Sequence, residues 1–182
     1  TSDEVWSGTH TVTGDILITA GAKAVIQPGT QVSLNNGTMI TVRGNLCAGD
    51  ISCGSSGMAN NGSRIQFTWA DPGDSSQYGD CYDGALVNGY SNIDPSCGEG
   101  ILLKDSIDVG QTKLNHVSIV NAYGLPAQVS QVNNEFRIAS LVLDGASPTL
   151  EALKFQGINT TSVLALNLAT PTFIGGAFVN GD

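Results

Sequence analysis

Residues 141–155 read LVLDGASPTLEALKF and residues 164–178 read LALNLATPTFIGGAF, one pattern written twice. Leu141 corresponds to Leu164, Leu143 to Leu166, Ala146 to Ala169, Pro148-Thr149 to Pro171-Thr172, Leu150 to Phe173 and Phe155 to Phe178, an offset of 23 residues (166 − 143). A fixed period of this length is the signature of stacked repeats. Within each copy the apolar residues alternate, which is the period of a strand and not of a helix. The pattern therefore predicts an all-β chain in which each repeat forms one coil, of about 23 residues, of a parallel β-helix solenoid.

Outward from that stretch the same texture continues. Val12, Ile16/Ile18, Ala24/Ile26, Val32/Leu34 and Ile40/Val42 form a ladder of short apolar strands over residues 5–46. Between them lie turn signals: Gly14-Asp15, Ala20-Gly21-Ala22, Pro28-Gly29, Asn35-Asn36-Gly37 and Arg43-Gly44. Strand centres about eight residues apart suit a coil with three short faces. Hairpins in a sandwich give similar spacing, and the 23-residue repeat favours the solenoid. Further on, Leu114, Val117 and Ile119 are followed 24 residues later (138 − 114) by Ile138, Leu141 and Leu143, which predicts stacking of those two segments.

The run WSGTHTVTGDILITAGAKAVIQPGTQVSL, with ITVRGNLCAGD and SRIQFTWA, resembles the opening coils of secreted bacterial right-handed parallel β-helix proteins of the surface and adhesin type. The residues carrying the resemblance are Trp6, Ala22 to Thr30, Val42 to Leu46 and Ile65 to Thr68, and GILLKDSID, TKLNHVSIVNAYGL and SPTLEALKFQG are similar to the following coils. It spans nearly the whole chain except residues 71–99. It implies the pectate-lyase-like superfold and leaves function open among adhesins, surface proteins and polysaccharide-acting enzymes, while the length itself suits a single domain over residues 1–182.

Composition narrows the partners. The 182 residues carry 13% charged side chains, a net charge of −9 and 23 glycines. An isoelectric point near 4.3 argues against nucleic acid or an anionic membrane surface, which require a basic face. No apolar run is long enough to span a bilayer. Four cysteines, Cys47, Cys53, Cys81 and Cys97, predict two disulfides and an oxidising, extracellular or cell-surface setting. Of three connectivities, Cys47–Cys53 with Cys81–Cys97 closes two short local loops. A metal site is the competing reading of the cysteines, but there is no C-x-x-C and both histidines, His10 and His116, lie far off in sequence.

Residues 70–99 break the repeat, and so long a stretch without strand periodicity marks a stapled or functional insertion. It carries Asp71, Asp74, Asp80 and Asp83, with Asp94 and Glu99 beyond. Such an oxygen-rich loop suits calcium if a cation is held, though no EF-hand or β-roll spacing is present. Trp69, Tyr78, Tyr82 and Tyr90 cluster around the same insertion, with Tyr123 in a later loop, and are the candidate sugar-binding aromatics. Solvated acids and loop-packing tyrosines are the bland alternatives.

Catalytic signals are sparse. The seven basic residues are Lys23, Arg43, Arg64, Lys104, Lys113, Arg137 and Lys154, of which only Lys104 adjoins a carboxylate, Asp105. A hydrolase needs two carboxylates across the scissile bond and a lyase needs a base, usually with calcium. His116 reads as an outward strand residue. Thr9, Thr11 and Thr13 alternate, but an ice-binding array needs threonines on successive coils. The resulting expectation is a non-catalytic extracellular element that binds a glycan or assembles with a neighbouring subunit at an open solenoid end. A calcium-dependent polysaccharide lyase and an end-to-end filament subunit are the alternatives.

Overall fold

The computed structural model describes residues 3–49, 63–70, 98–104, 112–130, 135–158 and 162–180. The N-terminal ladder forms as short strands: β1 (Glu4–Trp6), β2 (Thr9–Val12), β3 (Ile16–Ile18), β4 (Lys23–Ile26), β5 (Gln31–Leu34), β6 (Met39–Val42) and β7 (Asn45–Ala48). Turn chemistry sets their ends. Gly29 and Gly37 take the positive φ that a tight turn requires, at 83° and 73°. The threonine after each turn locks it, Thr30 Oγ1 donating to Gln27 O and Thr38 Oγ1 to Asn35 O, both at 2.7 Å. Then follow β8 (Ile65–Trp69), β9 (Gly100–Lys104), β10 (Lys113–Asn115), β11 (Val117–Val120), β12 (Leu125–Ser130), β13 (Glu135–Asp144), β14 (Thr149–Gln156), β15 (Ser162–Asn167) and β16 (Thr172–Asn180).

The expected β-helix solenoid with coils of about 23 residues and a disulfide-stapled insertion is corrected. The strands lie in two sheets. One has ten strands in the order β1-β4-β7-β10-β14-β11-β8-β5-β2, with β16 added on β14. The other has six in the order β12-β13-β9-β6-β3, with β15 added on β13. Pairing is parallel except for β12, which runs antiparallel to β13. The step between paired residues is not constant either. Glu4 pairs with Ala24, but Met39 pairs with Gly100 and Cys47 with Lys113.

The repeat of residues 141–155 in residues 164–178 holds over its first part. Leu141 pairs with Leu164, Leu143 with Leu166 and Leu150 with Phe173. The match then fails: Leu153 faces Phe178 and Phe155 faces Asn180, because the register shifts after Glu151. Here β16 spends more residues on the bend than β14 does. The expected stacking of 114–119 under 138–143 is also corrected. Leu114 pairs with Leu150 and Ile119 with Phe155, whereas Leu141 lies beside Ile101. The 24-residue recurrence joins segments of different sheets, which a strand period alone cannot reveal.

In-register pairing converts the alternation into rows of side chains facing one core. The six-stranded sheet contributes Ile16–Ile40–Ile101–Leu141–Leu164 and Ile18–Val42–Leu103–Leu143–Leu166. Opposite them the ten-stranded sheet contributes Val32–Phe67–Ile119–Phe155 and Ile26–Ala48–Leu114–Leu150. Apart from Leu166, which is 39% exposed, both sets belong to one buried cluster or pack against it, Ile16, Ile18 and Leu164 being only partly buried. Each such side chain removed from water stabilises the fold by about 1.5–3 kcal/mol.

The ten-stranded sheet folds back on itself at left-handed residues. His116, between β10 and β11, has φ 51°, and Ala152, inside β14, has φ 49°. The two are neighbours, His116 N–H donating to Glu151 O at 3.0 Å. Arg64 braces the bend through Nη1 to Ala152 O at 2.7 Å. His116 is thus a bend residue, not the outward strand residue expected.

Two stability outcomes follow from this geometry. Phe67→Ala, in the middle of a core row and 1% exposed, is expected to cost about 3–5 kcal/mol in urea unfolding. Ala152→Gly is expected to gain about 1 kcal/mol, since only glycine adopts this bend without steric cost.

Candidate functional site

The candidates drawn from the insertion divide in two. Trp69 is placed and is corrected: it is 0% exposed, in the core, and its Nε1–H donates to Thr38 O at 2.7 Å. It is a structural indole with its polar atom satisfied, not a platform for a sugar. Tyr78, Tyr82, Tyr90, Asp71, Asp74, Asp80 and Asp83 lie outside the described residues, as do Cys53, Cys81 and Cys97. Cys47 is fully buried in β7 and carries no free thiol. Its bond runs outside the described residues, so no disulfide pairing is defined among them. Among the described residues no cluster of three His, Cys, Asp or Glu could hold a metal ion.

Glu99 has a definite place. It is 0% exposed, and its carboxylate accepts the backbone N–H of Gly37 at 2.8 Å on Oε1 and of Tyr123 at 3.2 Å on Oε2. Its own backbone exchanges two hydrogen bonds with Gly124. One side chain thereby ties the turn before β6 to the segment before β12. Gly98 and Gly100 flank it because a Cβ at either would strike Leu125 and backbone oxygens. The Gly-Glu-Gly run was the available signal for this position, and it signals close packing rather than chemistry.

A regular surface among the described residues is the outer face of the half-sheet β2, β5, β8, β11 and the second half of β14. Register places two columns of side chains there. The first is Thr9, Gln31, Gln66, Ser118 and Lys154, and the second is Thr11, Ser33, Thr68, Val120 and Gln156. Neighbours in a column stand about 4.8 Å apart and the columns about 6.7 Å apart, the strand spacing and the two-residue rise of a parallel sheet. Thr9, Thr11, Gln31 and Ser33 are exposed, whereas Gln66, Thr68, Val120, Lys154 and Gln156 are half-buried and Ser118 is covered. The side chains of Thr9, Thr11, Ser33, Gln66 and Thr68 make no hydrogen bond among the described residues, so their donors and acceptors point outward unspent. The threonines of β2 are not repeated on the next strand, where their partners are Gln31 and Ser33, and it is polar character that continues. In sequence this was hidden, because Gln31 to Gln66 and Phe67 to Ile119 are pairings across long intervening segments.

No family model matches the chain, and no curated protein or solved structure matches it.

Glu99→Ala takes this acceptor from the Gly37 and Tyr123 N–H groups, whose hydrogen bonds are part-buried, and is expected to destabilise by about 2 kcal/mol. Glu99→Gln, which keeps one acceptor oxygen, is expected to cost less. Chemical denaturation of the two variants in parallel checks the order.

Proposed function

We propose that the chain is a non-catalytic extracellular surface element that binds an uncharged glycan along the polar face of β2, β5, β8, β11 and β14. The observation that carries this reading is the pair of in-register columns of hydroxyl and amide side chains. Thr, Ser and Gln each donate and accept hydrogen bonds, as sugar hydroxyls do. Lys154 is the only charge in the two columns, which favours a neutral ligand over an ionic one. A regular face engages a polymer at many weak points, and the summed contacts give avidity that no single one supplies. The even number of cysteines and the acidic, low-charge composition support an extracellular setting.

A glycan array of neutral and acetylated polysaccharides, followed by calorimetric titration of each hit, tests the reading. The Gln66→Ala, Thr68→Ala double variant should lower affinity about thirtyfold, as expected from losing two hydrogen bonds of about 1 kcal/mol each. Its stability should change by about 0.5 kcal/mol or less per site. Absence of any hit, or a hit indifferent to the double variant, overturns the assignment.

A further inference from the structure

At the corner where the six-stranded sheet gives way to the ten-stranded one, four polar residues end successive strands. Lys104 closes β9, Asp144 closes β13 and Asn167 closes β15, and the three are register partners. Arg43 follows Val42, which pairs with Leu103, so Arg43 stands beside Lys104. Two of the seven basic side chains of a chain with net charge −9 are thus brought together. Arg43, Lys104 and Asp144, with Gly145 and Leu168, line a groove of about 280 Å³.

Among the described residues the charges there do not cancel. Asp144 Oδ1 accepts from Asn167 Nδ2 at 2.7 Å, and Oδ2 lies 3.8 Å from Lys104 Nζ. The Asp144 carboxylate is therefore shared between Asn167 and Lys104, while the Arg43 guanidinium has no acceptor among the described residues. Like charges on neighbouring strands repel, and one carboxylate offsets only one of them. The backbone that carries Arg43 is fixed: Arg43 N–H and Gly44 N–H both donate to Ile18 O, at 2.8 and 3.1 Å. A Cβ at position 44 would collide with the carbonyl oxygens of Thr19 and Ala22.

The rim of the groove carries a second anomaly. Leu168 has φ 51° and is 77% exposed. A bulky apolar residue held in a left-handed conformation and turned to solvent is unfavourable on both counts, and such strain gathers at ligand sites.

We infer that this corner binds a carboxylate or sulfate group carried on a small carbon skeleton. The Arg43 guanidinium, a planar fork, takes two oxygens of the anion side by side. Lys104 adds its charge from the next strand, and Leu168 covers the carbon portion. The site is independent of the polar face, which lies on β2, β5, β8, β11 and β14.

Amide NMR titration at fixed ionic strength tests it, with butyrate and butyl sulfate as probes and chloride and inorganic sulfate as controls. Saturable shifts at Lys104, Gly145 and Leu168 with a dissociation constant of about 1 mM are expected. Arg43→Gln should weaken binding about tenfold or more, since a charge-assisted pair is lost. Lys154→Gln, on another face, should leave it unchanged. Because Arg43 is exposed, an unchanged thermal midpoint certifies that its variant is folded. Leu168→Gly should raise the thermal midpoint while weakening both butyl probes and sparing inorganic sulfate. Whichever butyl probe binds more tightly assigns the carboxylate or the sulfate ester as the natural group. Shifts that do not saturate, that chloride reproduces, or that survive Arg43→Gln overturn the proposal.

Discussion

Parallel pairing in register is the constraint on which the rest of this molecule depends. Every strand except β12, which pairs with the adjacent β13, owes backbone hydrogen bonds to a neighbour that is remote in sequence, and a slip of one residue would turn core side chains outward. The rows from Ile16 to Leu164 and from Ile18 to Leu166 are the visible result. The same register that lines up isoleucine and leucine inside lines up Thr, Ser and Gln outside. Core and polar face are two readings of one alignment.

Maintaining that alignment around corners requires residues in unusual conformations. Glycines supply some of them, but His116, Asn121, Ala152 and Leu168 also take positive φ. At the first three a hydrogen bond from a neighbouring segment supplies a brace. Arg64 holds the carbonyl of Ala152. Asn121 N–H donates to Gln156 O, and its Oδ1 packs so close to Gly157 that no Cβ fits there. Leu168 lacks a comparable brace among these contacts, and among the described residues it is the most exposed of the large apolar side chains at 77%.

Much of the local structure was legible. The alternation over residues 5–46 locates β2 to β6, and the doubled stretch fixes the pairing of Leu141 with Leu164. What failed was long-range: the eye joins Leu114 to Ile138 because their spacing mimics a repeat, while the true partner of Leu114 is Leu150. Insertions between β7 and β8, and between β8 and β9, displace the period without displacing the register, so a constant coil length was the wrong ruler. Trp69 shows a parallel limit. Its neighbourhood of aromatic and acidic residues suggested a binding platform, but its place in the alternation Ile65, Phe67, Trp69 points inward. The corner of Arg43, Lys104, Asp144 and Asn167 had no sequence signal, because its members come from four strands spread along most of the chain.

The uneven distance between partners also dictates an order of assembly. Pairs such as Glu4 with Ala24, and Leu141 with Leu164, close loops of modest length, so the two extremities of the chain hold the contacts with the lowest entropic cost. Strands β8 and β9 acquire their neighbours only across long intervals, Met39 to Gly100 among them. Non-local pairing of this kind is slow to form. The middle of the molecule is therefore the last part to close, and until it does, the unpaired edges of β5 and β6 remain open to any other strand in solution.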